Sequence, residues 1–187
     1  MKTLNISLRL TFVLILSAFL ISCSSDDNGG LPADTSYANL TLSGDIEGER
    51  SGSAFFQQIS SGQTEIWDLS FWDSGPQTFE VNFMLIGNEN SPVSQPGPGT
   101  YPIGFDPLNS NTVFFGIYTD IKDGDLINTD EYDTFNSEGT LTIETSNENR
   151  MKGSFEFTAH SRTDMGEVGK TIHVSGSFEA IKAKTHY

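Results

Sequence analysis

The densest set of potential ligand side chains in this chain is the acidic run Asp120, Asp123, Asp125, Asp130, Glu131 and Asp133. Calcium takes roughly six to eight oxygen ligands, often from closely spaced carboxylates in a loop with a glycine turn, and Gly124 supplies such a turn. The EF-hand spacing is not met, because Lys122 and Gly124 occupy the third and fifth positions counted from Asp120. Asp120, Asp123 and Asp125 therefore stand as a calcium candidate beside the plainer reading, a solvated loop on an acidic protein; no other cofactor is called for. His160 and His173 are a second candidate, for a transition metal shared between neighbouring strands. Covalent catalysis finds little support. Cys23 is the single cysteine, and no serine sits in a G-x-S-x-G elbow. The zinc signature H-E-x-x-H is absent, and although paired carboxylates could hydrolyse a glycoside, nothing singles out two of them.

Aromatic side chains offer a different chemistry. In "TEIWDLSFW" at 64–72, alternation puts Trp67, Leu69 and Phe71 on one face and Ile66, Asp68, Ser70 and Trp72 on the other. Trp67 and Phe71 read as core, whereas Trp72, beside a turn, reads either as a lid on the core or as an exposed platform for a ligand such as a glycan. The segment 88–111 holds Pro92, Pro96, Pro98, Pro102 and Pro107, and such stiffened connections are often functional. Its Tyr101 and Phe105 could form one wall of a ligand surface together with Trp72. The formal net charge of −15 makes nucleic acid an improbable partner, since phosphate binding needs clustered Lys and Arg.

The elements that position these residues begin after an unusual start. Lys2 and Arg9 precede the apolar run Leu10–Ile21, which is too short for the roughly 20 residues of a membrane-spanning helix and has the flanks of a secretory signal. The run ends Leu20-Ile21-Ser22-Cys23, which resembles the lipobox of bacterial lipoproteins. That resemblance implies cleavage before Cys23 and acylation of its thiol, and two or three acyl chains hold a protein to a membrane where one does not. Residues 23–36 then form a flexible tether. Asp26 and Asp27, close behind the cysteine, resemble the surface-export signal of Bacteroidota lipoproteins; the expected place is the outer membrane, at the cell surface rather than the periplasmic face.

From residue 37 to 187 the apolar period is two, not 3.6. Phe79, Val81, Phe83 and Leu85 alternate with Glu80 and Asn82; Phe155, Phe157 and Ala159 with Glu156, Thr158 and His160; Ile172, Val174 and Phe178 with His173, Ser175 and Ser177. Less regular strands are expected near 37–43, 52–59, 100–104 and 112–119, separated by Gly, Asp and Pro turns. Many short strands at this spacing predict one all-β domain, an antiparallel β-sandwich or barrel of about 8–10 strands. Strand parity puts His160 and His173 on one outward face, and a register with Phe155 opposite Phe178 would put them directly opposite each other. The tetrapeptide Gly-Ser-Phe-Glu at 153–156 recurs at 176–179, which chance in strands of similar composition explains.

In order along the chain, "GTYPI" at 99–103, "GTLTI" at 139–143, "KGSFEFTA" at 152–159 and "VSGSF" at 174–178 resemble the strand motifs of a family of Bacteroidota lipoproteins with a single all-β domain. The resemblance covers most of residues 37–183 and implies fold and address, without catalytic residues. The expectation is a lipid-anchored binding or accessory protein of the cell envelope, not an enzyme. A glycan-binding component of a polysaccharide-uptake system is the alternative, and a carboxylate-pair hydrolase comes third. The expected partners are the membrane, through the acyl chains, and a glycan or an envelope protein.

Overall fold

The computed structural model describes residues 35–73, 77–106, 108–135, 137–162 and 168–183; the lipobox and most of the tether lie outside them. The residues from Tyr37 onward form an all-β barrel. Its strands are β1 (Tyr37–Gly44), β2 (Gly48–Ser61), β3 (Thr64–Trp72), β4 (Phe79–Asn88), β5 (Gly99–Ile103), β6 (Phe115–Ile121), β7 (Thr129–Asp133), β8 (Gly139–Ser146), β9 (Arg150–Arg162) and β10 (Val168–Lys182). The one helical turn among the described residues is the 3-10 turn Lys122–Gly124. Alternation is the cause: on strands such as β4, β8, β9 and β10 the buried apolar residues recur at every second position, so only an extended chain puts the set on one side.

Successive strands pair antiparallel from β1 to β4, then β4 with β6 and β6 with β7. β7 meets β9 at Asp133 and His160, β9 runs along β10, and β10 runs along the whole of β1. Eight strands thus close a ring, which decides between the two expected architectures in favour of a barrel. β8 and β5 fill the wall where β7 does not reach: β8 lies on β9, β5 on β8, and Ile103 of β5 bridges to Phe114 ahead of β6. Beyond the start of β1, Ile181 and Lys182 of β10 pair parallel with Phe55 and Phe56 of β2.

The interior is a stack of rings. Phe71 lies 5.2 Å from Phe155, 5.3 Å from Phe178 and 5.8 Å from Phe83, ring centre to ring centre, and all four are buried. Trp67 continues the stack towards Phe56 and Phe114. Such rings in offset or edge-on contact fill space at core density, so the barrel encloses side chains rather than a ligand chamber.

The expected parity of β9 and β10 holds, with Phe155, Phe157, Ile172, Val174 and Phe178 all buried. The register differs from the expected one by two residues: Phe155 faces Gly176, and Phe178 faces Gly153. The reason is space. A β carbon on Gly176 would lie 2.8 Å from the Phe155 ring, and one on Gly153 would lie 3.0 Å from the Phe178 ring, so each phenyl group covers a bare glycine. The two Gly-Ser-Phe copies therefore pair with each other, Gly153 to Phe178, Ser154 to Ser177 and Phe155 to Gly176, and their recurrence has a structural role.

Candidate functional site

With the interior filled, the chemistry lies at one mouth of the barrel and on its outer walls. At the mouth where β2 and β7 begin and β6 ends, Asp120 points inward and is buried. It accepts hydrogen bonds from Lys122 Nζ and from Tyr118 Oη (3.3 Å), and Arg50 Nη2 lies 3.7 Å from it. Lys122 also reaches Asp130 at 3.5 Å. Burial, and next to it the Asp120 charge, push the Tyr118 phenol well above its ordinary range; hydrogen bonding to Asp120 raises Lys122. Tyr132, ring-to-ring with Tyr118 at 6.2 Å, is fully buried, and its hydroxyl has no hydrogen-bond partner among the described residues. Both Asp120 oxygens are thus engaged by cations and a phenol. Asp125 accepts the amide of Ile127 (3.0 Å), and Asp123 sits in the left-handed region at φ 54°. The three carboxylates of the calcium candidate do not converge, and no group of three or more His, Cys, Asp or Glu suited to a metal occurs among the described residues.

The outer wall of β2, β3, β4 and β6 carries several large apolar side chains. Trp72 faces outward at the end of β3, half-buried, and stacks on Phe55 of β2 with centroids 4.6 Å apart and planes 19° from parallel. It is a surface residue and not a lid on the core. Ile59, Ile66 and Ile86 form a row across β2, β3 and β4. Met84 and Phe115 pair in the next row, and Phe105 stacks on Phe135 at 4.1 Å and edge-on to Phe115 at 5.9 Å.

A polar island sits inside this frame. Asp68 is 7 % exposed although alternation puts it on the outward face, where it pairs between Gln57 of β2 and Met84 of β4. Ser70 Oγ and Gln57 Nε2 (3.3 Å) donate to its Oδ2. Asn82 Nδ2 donates to Glu80 Oε1 (3.0 Å), and Glu80 lies directly across from Trp72. Burial holds the Asp68 carboxyl above the usual range; the two hydrogen bonds oppose that rise without cancelling it. Rings, hydroxyl, amides and carboxylates within three rows of one sheet match the composition of a polar-ligand site.

The opposite wall, on β1, β10, β9 and β8, is hydroxyl-rich. One row across these strands and β5 reads Asn39, Ser177, Ser154, Thr142, Thr100. A shallow groove of about 490 Å³ crosses it, lined by Thr41, Thr140, Glu156, Thr158, His173 and Ser175 among others. His160 and His173 share this outward face, as parity requires, but are not opposite each other. His160 faces Thr171 and His173 faces Thr158, and each ring Nδ1 lies 2.9 Å from the hydroxyl of its threonine. The two-residue shift in register is the cause, and it leaves the histidines diagonal neighbours with separate partners.

Of the three expected ligand-surface residues, Trp72 and Phe105 share the outer wall. Tyr101 does not: it leans on the core, edge-on to Phe114 at 5.8 Å, with its hydroxyl donating to Gly97 O (2.8 Å). Sequence reasoning missed Phe55, Asp68 and the Arg50–Asp120–Lys122 cluster. Alternation in β2 could have placed Phe55 outward, whereas Arg50 reaches Asp120 and Lys122 from a distant strand, a meeting that leaves no local signal. Cys23 lies outside the described residues. Comparison with protein-family models, with curated proteins and with solved structures gives no match.

Proposed function

We propose that this chain is a lipid-anchored, non-catalytic binding protein of the bacterial cell envelope, held on the outer membrane by acyl chains on Cys23 and facing outward. Its ligand surface is the outer wall around Trp72. The observation that carries this reading is the stacked Phe55–Trp72 pair on the outside of a barrel whose inside is filled. Large rings that no core covers, beside paired amide and carboxylate groups, are costly to keep in water and fit a ligand that has both apolar and hydroxyl faces. A glycan has both: its C–H face can lie on an indole while its hydroxyls reach Glu80 and Asn82. The Asp68 and Glu80 carboxyls on the wall, in a chain of formal net charge −15, favour neutral sugars over uronates.

One experiment tests anchor and ligand together. Cells producing the wild type and Cys23→Ala are fractionated, and residues 31–187 are titrated with neutral and acidic oligosaccharides while tryptophan fluorescence is followed. Trp67 is buried, so a change reports Trp72. The expected result is loss of membrane partition in Cys23→Ala and a saturable change with a neutral glycan that Trp72→Ala abolishes. A Cys23→Ala chain that still carries a fatty-acid label would end the anchor reading. A titration that responds to no sugar would end the glycan reading.

A further inference from the structure

The hairpin joining β6 to β7 ends in two aliphatic residues that touch nothing in the core: Leu126 is 65 % exposed and Ile127 is 94 % exposed. Its backbone is fixed by two successive turns, Asp125 N to Lys122 O (2.8 Å) and Asn128 N to Asp125 O (2.9 Å), closed by Lys122 N to Asn128 O (3.0 Å). Asp123 and Gly124, at φ 54° and 71°, make the first reversal, and the Asp125 side chain accepts the Ile127 amide in the second. Turn chemistry is thus supplied by Asp123, Gly124, Asp125 and Asn128. Positions 126 and 127 are left open to any side chain, and the barrel gains nothing from aliphatic ones.

Around this tip the exposed charge is mostly negative. Asp45, Glu47, Glu49, Asp123, Asp125 and Glu131 are exposed at the same end of the barrel. The bases there are mostly engaged, Arg50 and Lys122 by Asp120, which leaves Lys170 as the exposed exception among the described residues. A like-charged copy of the chain and an anionic lipid surface are both repelled by such a collar. We propose that the β6–β7 tip is a docking plug: Leu126 and Ile127 insert into an apolar pocket rimmed by Lys and Arg on a protein partner. The turn's own hydrogen bonds hold the tip backbone in place before it binds, so little backbone ordering entropy opposes insertion. Each aliphatic side chain contributes about tenfold or more to affinity. This surface is separate from the wall around Trp72, and the two readings stand or fall independently.

The test uses the full chain in its own membrane, with a photo-crosslinking amino acid at position 127 and, as a control, at Ser177 on the opposite wall. The expected result has three parts. One dominant protein adduct forms from position 127 and not from 177, and its crosslinked peptide carries apolar residues flanked by Lys or Arg. The adduct fades in about 1 M salt, where the screening length is about 3 Å. With that partner purified, the Leu126→Asn, Ile127→Asn double variant binds about a hundredfold more weakly and melts as the wild type does. A lipid adduct, a dimer of the chain itself, a salt-insensitive adduct, or no adduct beyond the control would each overturn the proposal.

Discussion

Asp68 shows how a residue can be buried on the outside of a barrel. Alternation in "TEIWDLSFW" places it on the outward face with Ser70 and Trp72, and the structure agrees. Its burial was not legible, because that depends on the size of residues on β2 and β4 that pair beside it, Gln57 and Met84. The carboxyl is raised by burial, so the folded state prefers the proton more than the unfolded chain does. The stability from that preference is present below the ordinary carboxylate value of about 3.9 and is lost as pH rises through the raised one. At neutral pH the charge is therefore a standing penalty. Asp68→Asn keeps an acceptor oxygen for Ser70 and Gln57 and removes the charge. The expected gain at pH 7 is about 1 kcal/mol, or roughly 2–4 °C in Tm for a chain of this size, shrinking towards zero as pH falls to about 4. Thermal melts of both proteins across that range check it; a lower Tm for the variant at pH 7 would mean that the hydrogen-bonded charge is net favourable.

At the scale of the element, β9 and β10 divide what a sequence states from what it withholds. Parity alone fixed the faces, since a one-residue slip would have turned five buried apolar side chains to solvent. It left every two-residue slip open. The choice among those rests on volume: two phenyl groups directly opposite each other would crowd a level already occupied by Phe71, whereas phenyl over glycine fits. The same argument gives the repeated Gly-Ser-Phe a purpose. Gly153→Ala would bring a methyl group to 2.1 Å from Thr142 O and into the Phe178 ring, and Gly176→Ala would bring one to 2.3 Å from Asn39 O and into the Phe155 ring. Each substitution is expected to cost about 1–3 kcal/mol in urea unfolding. The double variant should fall short of the sum, because both displaced rings lean on Phe71. Two costs near zero would show that the register tolerates a β carbon and that the glycines do not set it.

For the molecule as a whole, the least legible feature is closure. Period-two alternation marks strands and faces, but sandwich and barrel share it, and nothing local says that the first strand meets the last. Closure here rests on β10, which runs along β1 and then continues past it to β2. There Ile181 pairs with Phe55 and Lys182 with Phe56, Lys182 N donates to Asn149 O (3.0 Å), and Ala183 N donates to Phe56 O (2.9 Å). The pairing with Phe55 and Phe56 covers the edge of β2 behind the Phe55–Trp72 platform. Truncation after Ala180 removes these bonds and leaves β10 paired with β1 and β9, so the barrel stays ringed at one level and gapes at the other. An uncovered edge beside an apolar ring pair is a template for another chain. The truncated protein is expected to lose about 2–4 kcal/mol in urea unfolding, four or so net backbone hydrogen bonds at about 1 kcal/mol each, and to elute larger than a monomer in gel filtration. A control truncated after Ala183 should behave as the full domain. Equal stability and a monomeric elution for the chain ending at Ala180 would show that β1, wedged between β10 and β2, closes the barrel without help from the C-terminal pairing.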